Sequence, residues 1–132
     1  GGSGMVGTAP DFMRFLLSLR LGSGWQPLKP ESLEQMLRDH VGTQAQTDGP
    51  GWGFGYGWSV LGDPEAAGTP QGLGTIQWGG VYGHYWFYDP TNDIAAVLFS
   101  NATVEGMSGQ LPKDVRDAIY ADISQGAGTH SN

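Results

Sequence analysis

The sequence predicts an α+β fold, an antiparallel sheet flanked by helices. Three observations point to it. Apolar residues recur at helical spacing near the start of the chain and again in 112–124. Between these stretches, 52–60 and 73–100 are dense in aromatic and β-branched residues, cut by glycine and proline turns. The order is two helices, a block of strands and one closing helix, without the strand–helix alternation of a parallel sheet.

Residues 1–8 read as a Gly-rich loop, and Gly1-Gly2-Ser3-Gly4 has the composition of a flexible linker. The folded part is predicted to run over 9–124. In its first helix Thr8 suits the N-cap, Pro10 the first turn, and Asp11 complements the dipole. Phe12, Phe15, Leu16 and Leu19 form the apolar stripe, and Gly22-Ser23-Gly24 is the stop signal. A second helix starts at Pro30, with Leu33, Met36 and Leu37 as its stripe, and ends near Val41-Gly42. Residues 42–51 are polar and turn-rich.

In Trp52-Gly-Phe54-Gly-Tyr56-Gly-Trp58-Ser-Val60 large and small residues alternate strictly. That period predicts one strand with an aromatic face and a bare face whose backbone something approaches closely. The aromatic face reads either as core or as a ligand platform. Residues 62–72 read as a loop with two prolines. Strands follow near 73–78, 82–88 and 94–100, the last two joined by Asp89-Pro90-Thr91-Asn92-Asp93, where Asp89 shapes the turn. The continuous apolar run Ile94–Phe99 predicts a central strand. Pro112 opens the closing helix, with Val115, Ala118, Ile119 and Ile123 as its buried stripe. Residues 125–132 read as a polar, flexible tail.

The 132 residues allow one domain or part of one, with a net charge of −7 and only 6 Lys and Arg. This balance argues against a nucleic-acid or anionic-membrane partner. No apolar run nears the ~20 residues a membrane helix needs. Charged residues make up 14% of the chain, against about a quarter in an ordinary lone domain, so part of the surface is expected to be covered. Cysteine is absent, which removes disulfides, zinc–thiolate sites and a thiol nucleophile. A soluble bacterial protein is expected, with cytoplasm and periplasm both open.

The chemistry centres on Trp78-Gly79-Gly80-Val81-Tyr82. Two glycines after a tryptophan in a strand let a ligand lie against the main chain. Trp78 reads as lining a substrate pocket or as a core tryptophan, and Tyr82 as reaching the cleft edge or as a packed or surface tyrosine. His84 invites a base role, yet has no acid partner nearby in sequence and reads better as a hydrogen-bonded structural histidine. His40 and His130 are too isolated for a metal site, the acidic residues show no paired-carboxylate spacing, and no cofactor is implied.

With these pieces in order, the chain resembles the C-terminal part of the serine β-lactamase and penicillin-binding-protein-like hydrolases, above all class C β-lactamases and family VIII carboxylesterases. Residues 1–15 are similar to a glycine loop and helix midway through those enzymes, and Tyr56-Gly57-Trp58 to the strand before their third motif. Trp78-Gly79-Gly80 stands where the lactamases carry Lys-Thr-Gly and the esterases Trp-x-Gly. Asp89-Pro90, Val97-Leu98-Phe99-Ser100-Asn101 and the closing helix resemble their last hairpin, strand and helix. The resemblance implies the β-lactamase/transpeptidase-like fold, an acyl-serine mechanism and, through Trp in place of Lys, ester substrates. It implies that the Val81 N–H completes an oxyanion hole and that Trp78, Gly79, Gly80 and Tyr82 line the substrate site.

The family's nucleophile lies in Ser-x-x-Lys and its base in Tyr-x-Asn or Tyr-x-x. No serine here has a lysine three residues on, and no tyrosine has an asparagine two on. The expectation is a C-terminal fragment of a serine carboxylesterase-like hydrolase whose nucleophile and base lie upstream. Its partners would be a small ester, the missing N-terminal part, and further copies recruited through the unpaired strand 94–100. The alternative is a non-catalytic binding module built on the aromatic strands.

Overall fold

A computed structural model describes residues 4–20, 22 and 24–126. Residues 1–3, Ser23, His130 and the tail beyond 126, with the expectations placed on them, lie outside the described residues.

Helix α1 spans Ala9–Ser18, capped by Thr8, whose hydroxyl accepts from the Asp11 N–H. It ends short of the glycines at 22 and 24, where the Leu19 and Arg20 N–H groups tighten onto Leu16 and Leu17. Helix α2, Pro30–Leu37, starts at its proline as predicted and stops before Arg38, which is extended.

The stretch 52–60 is not one strand. It is a hairpin of β1, Trp52–Phe54, and β2, Ser59–Leu61, closed by the Gly55 N–H on the Trp58 carbonyl, with Gly57 at φ +108. Alternating glycines imitate a strand period, but one of them has the φ that turns the chain back. The bare backbone is closely approached, as expected, by the last turn of α2 and the segment after it. The Asp39 carboxylate fills the space a Gly53 side chain would need, and the Met36 carbonyl lies 2.8 Å from a Cβ on Gly55. Asp39 accepts the N–H groups of Val41, Gly42 and Phe54.

The loop expected at 62–72 contains a short helix α3, Pro64–Ala67, N-capped by Asp63. Strands β3, Ile76–Gly80, β4, His84–Asp89, and β5, Ile94–Phe99, complete one antiparallel sheet in the order β1-β2-β3-β4-β5. Within it β5 is an edge and not a central strand, and its residues are only half buried or exposed. A short α4, Glu105–Ser108, precedes α5, Gln110–Gly126.

Val60, Ile76 and Tyr88 align in register and, with Trp86, face α1 and α2. Leu16, Leu19 and Leu33 seal against them, each contributing about 2 kcal/mol by burial. Trp52, Trp58, Trp86, Phe87 and Tyr88 are buried, so these aromatics are core, whereas Tyr56 and Tyr82 are exposed. On the opposite face Phe87 stacks on Tyr120 of α5. This contact, with the Tyr120 hydroxyl on Asp89, turns the 116/120 side of α5 inward. Ala118 and Ile123, expected in the buried stripe, are therefore exposed.

Candidate active site

The site is first a matter of main-chain geometry. Strand β2 pairs with β3 only at Ser59↔Gln77 and Val60↔Ile76. From Trp78 to Gly80 the strand has no partner on that side among the described residues, while every residue still pairs with β4 on the other. A three-residue loop, 81–83, then returns the chain, with Gly83 at φ +107. The Gly80 carbonyl accepts the Gly83 N–H at 2.9 Å. In a trans peptide the N–H points opposite to its carbonyl. The Val81 N–H thus turns away from β4, toward the unpartnered side, and no acceptor among the described residues takes it. A donor left free beside an open strand edge can receive an oxygen from outside the chain.

The side chains around it are apolar and exposed. Val81 is 50% and Tyr82 70% exposed. Trp78 is 41% exposed and meets Phe54 edge-on, with ring centroids 5.3 Å apart. His84 is exposed and lies against the Phe99 ring, with no side-chain hydrogen bond among the described residues, so the expected hydrogen-bonded histidine is not found. The two glycines differ. A Cβ on Gly79 would strike Met107 of α4, so this chain itself occupies that approach. At Gly80 the nearest groups belong only to the His84 side chain, the closest atom at 3.1 Å.

A cavity of about 490 Å³ opens between α5 and the sheet, lined by Gln77, Gly79, Tyr85, Met107 and Arg116 among others. Three of its polar side chains, Tyr85, Gln77 and Asp48, form one chain of hydrogen bonds. The Tyr85 hydroxyl and the Gln71 amide both donate to the Gln77 carbonyl oxygen, and the Gln77 amide donates to Asp48. Burial first, then the charge of Asp48, pushes the Tyr85 hydroxyl well above its ordinary pKa. That phenol is a poor base, being protonated and already spent as a donor.

One family matches nearly the whole chain. The family described as Beta-lactamase matches residues 1–121. The chain belongs to this β-lactamase family.

Among family relatives, esterase EstB of Burkholderia gladioli is 52% identical over 122 residues, covering 92% of this chain and 30% of EstB. The lovastatin esterase of Penicillium rubens is 29% identical, covering 93% of this chain and 35% of that enzyme. The solved structure of EstCE1, a hydrolase with promiscuous acyltransferase activity, superposes with a TM-score of 0.84 at 51% identity, over 89% of this chain and 31% of EstCE1. The simvastatin synthase LovD of Aspergillus terreus, a LovD6 mutant, shares the fold, with a TM-score of 0.68 at 21% identity over 86% of this chain and 33% of LovD. The chain thus spans about a third of these proteins.

Within the family fold, the predicted residues Trp78, Gly79, Gly80, Val81 and Tyr82 lie together at the end of β3. Asp89 sits at the far end of β4 and serves the turn, as its sequence context suggested. It accepts the N–H groups of Gly72, Thr91 and Asn92, the Asn92 amide and the Tyr120 hydroxyl. His40 stacks on Tyr56 and bonds the Gln35 carbonyl. Among the described residues no cluster of His, Cys, Asp or Glu is arranged to hold a metal, and no helix is long and apolar enough to cross a membrane. Sequence reading missed α4 and the residue that leads into it, Val104, whose N–H donates to the Val81 carbonyl at 2.9 Å. No residue pattern announces that contact.

Proposed function

We propose that this chain supplies the third-motif strand and one oxyanion donor of a serine ester hydrolase whose nucleophile and base lie on polypeptide outside it. The observation that carries the reading is the unaccepted Val81 N–H, facing the side of β3 where pairing with β2 has ended. The 52% identity to an esterase across 92% of the chain favours ester substrates, as does Trp78 where lactamases carry lysine.

In this mechanism a serine oxygen attacks the ester carbonyl carbon and its proton passes to the base. The carbonyl oxygen gains charge and takes a hydrogen bond from Val81 N–H. The C–O bond to the alcohol breaks, the alcohol leaves with a proton, and water then releases the acid from the acyl-serine. Such a preformed donor is worth about 10²–10³ in kcat. Trp78 and Tyr82 flank the ester as apolar walls, and Gly80 lets it lie against the strand.

The test is a chimera in which this chain replaces the matching third of EstB. It is expected to hydrolyse an activated aryl ester, while the chain alone shows no acyl burst. Val81→Pro removes the N–H and trades the valine side chain for a ring of similar apolar character, at a turn position that accepts proline, after an extended glycine. It should lower kcat by about 10²–10³ with circular dichroism unchanged. A folded chimera that turns over nothing, or brisk hydrolysis by the chain alone, would refute the reading.

The edge of β5 extends the same proposal. Six apolar residues, paired with β4 on one side and without a partner strand among the described residues on the other, suit a strand from the preceding part of the domain, or from another copy when that part is missing. The chain alone should therefore self-associate in light scattering, and a stable monomer at high concentration would count against this.

A further inference from the structure

The turn that presents the Val81 N–H is gripped from behind by a strained segment. Val104 has φ +66 and ψ −52. A β-branched residue enters that region at a cost of about 1–3 kcal/mol. The Glu105 N–H donates to the Thr103 carbonyl at 2.8 Å, which makes Val104 the middle of a γ-turn of the rare, strained hand. Its side chain is half exposed, so burial of the valine does not account for the conformation. Its backbone does, because the N–H reaches the Val81 carbonyl at 2.9 Å.

The segment around it is locked to the same hairpin loop. The Ser100 N–H and hydroxyl both donate to the Gly83 carbonyl, at 3.1 and 2.9 Å. The Gly106 N–H returns to the Ala102 carbonyl at 2.8 Å. A Cβ on Gly106 would collide with the Ser100 hydroxyl and lie 2.6 Å from the Gly83 carbonyl oxygen. Both peptides flanking Val81 are consequently pinned. The Gly83 N–H holds the one before it through the Gly80 carbonyl, and the Val104 N–H holds the one after it. A donor aimed in advance needs no reorganisation when charge develops on its acceptor.

We propose that Val104 is a positioning residue: its strained turn fixes the Val81 carbonyl, and through it the direction in which the Val81 N–H meets the substrate oxygen. The inference rests on the oxyanion reading of Val81. Val104 itself touches no reacting atom.

The EstB chimera tests it through two variants. Val104→Pro deletes the N–H and forbids the positive φ. Gly106→Ala drives a methyl group against the Ser100 hydroxyl and the Gly83 carbonyl, which pushes α4 and the Val104 N–H that leads into it away from the 81–83 loop with the valine itself unsubstituted. Each should lower kcat about tenfold, a fraction of the ~10²–10³ expected for losing the donor itself. KM should stay within about threefold, because a pre-aimed donor acts on the transition state and not on ground-state binding. If Val104→Pro misfolds by circular dichroism, Gly106→Ala decides. Amide exchange on the unsubstituted chain adds a readout free of catalysis, in which the Val104 amide should exchange more slowly than that of Val81. An active parent chimera whose kcat is unmoved by the variants, a rise in KM alone, or a Val104 amide as fast as Val81 overturns the role of Val104. An inactive parent chimera overturns the oxyanion reading on which it stands.

Discussion

The two ends of β4 are built in opposite ways. At the Asp89 end the carboxylate is fully consumed. One buried carboxylate takes hydrogen bonds from Gly72, Thr91, Asn92 twice over and Tyr120, and so ties a loop, a hairpin and α5 together. At the His84 end the neighbouring loop leaves the Val81 N–H unaccepted and three apolar side chains, Trp78, Val81 and Tyr82, exposed. An aspartate in a strand-end turn and a valine in a hairpin loop look equally ordinary in sequence. What separates them is polar satisfaction: the acid has no capacity left for chemistry, whereas the amide has kept its own.

The largest effect expected on stability is at the closed end. Asp89→Ala strands several buried donors and should cost about 3 kcal/mol in urea unfolding of the chimera. A loss under ~1 kcal/mol would break the contrast. Tyr120→Phe removes a single donor to that carboxylate and should cost about 1.5–2 kcal/mol while leaving kcat alone.

The smallest effect is a pH signature. Burial raises the Asp89 pKa, but hydrogen bonds from Asn92, Tyr120 and Gly72 outweigh it and hold the group below the ordinary carboxylate value. The folded state then binds this proton less readily than the unfolded chain, so the stability it contributes is full above pH ~4 and drains away as pH falls further. Tyr120 and Tyr85 are raised instead, by burial first and then for Tyr120 by Asp89 and for Tyr85 by Asp48. Their contribution is full below pH ~10 and is lost above it. The share of the urea midpoint that these groups supply should be level between these limits and fall outside them, and Tyr120→Phe should soften the alkaline fall. An alkaline limb identical in that variant would detach Tyr120 from the clasp.

Much of this was legible in the chain itself. The Thr8 cap, Pro30 and the apolar stripe of α1 act within a few residues, and the structure follows them. The run 52–60 misled because glycine at every second place copies a strand period, while only the φ of Gly57 makes the turn. The packed face of α5 was misjudged because its anchor is Asp89, 31 residues away in sequence. Trp78-Gly79-Gly80 stood out through its likeness to a known motif. Val104 could not be found this way, since a tertiary hydrogen bond and not its own chemistry sets its φ.

The nesting of Asp39 over Gly53 has a consequence for what may stand in β1. Even a methyl group at position 53 would evict the carboxylate. That would unstitch three amides at once and free the end of α2 from the strand beneath it. Glycine, ordinarily a weak tenant of a strand, is here the condition for the seam between helix and sheet.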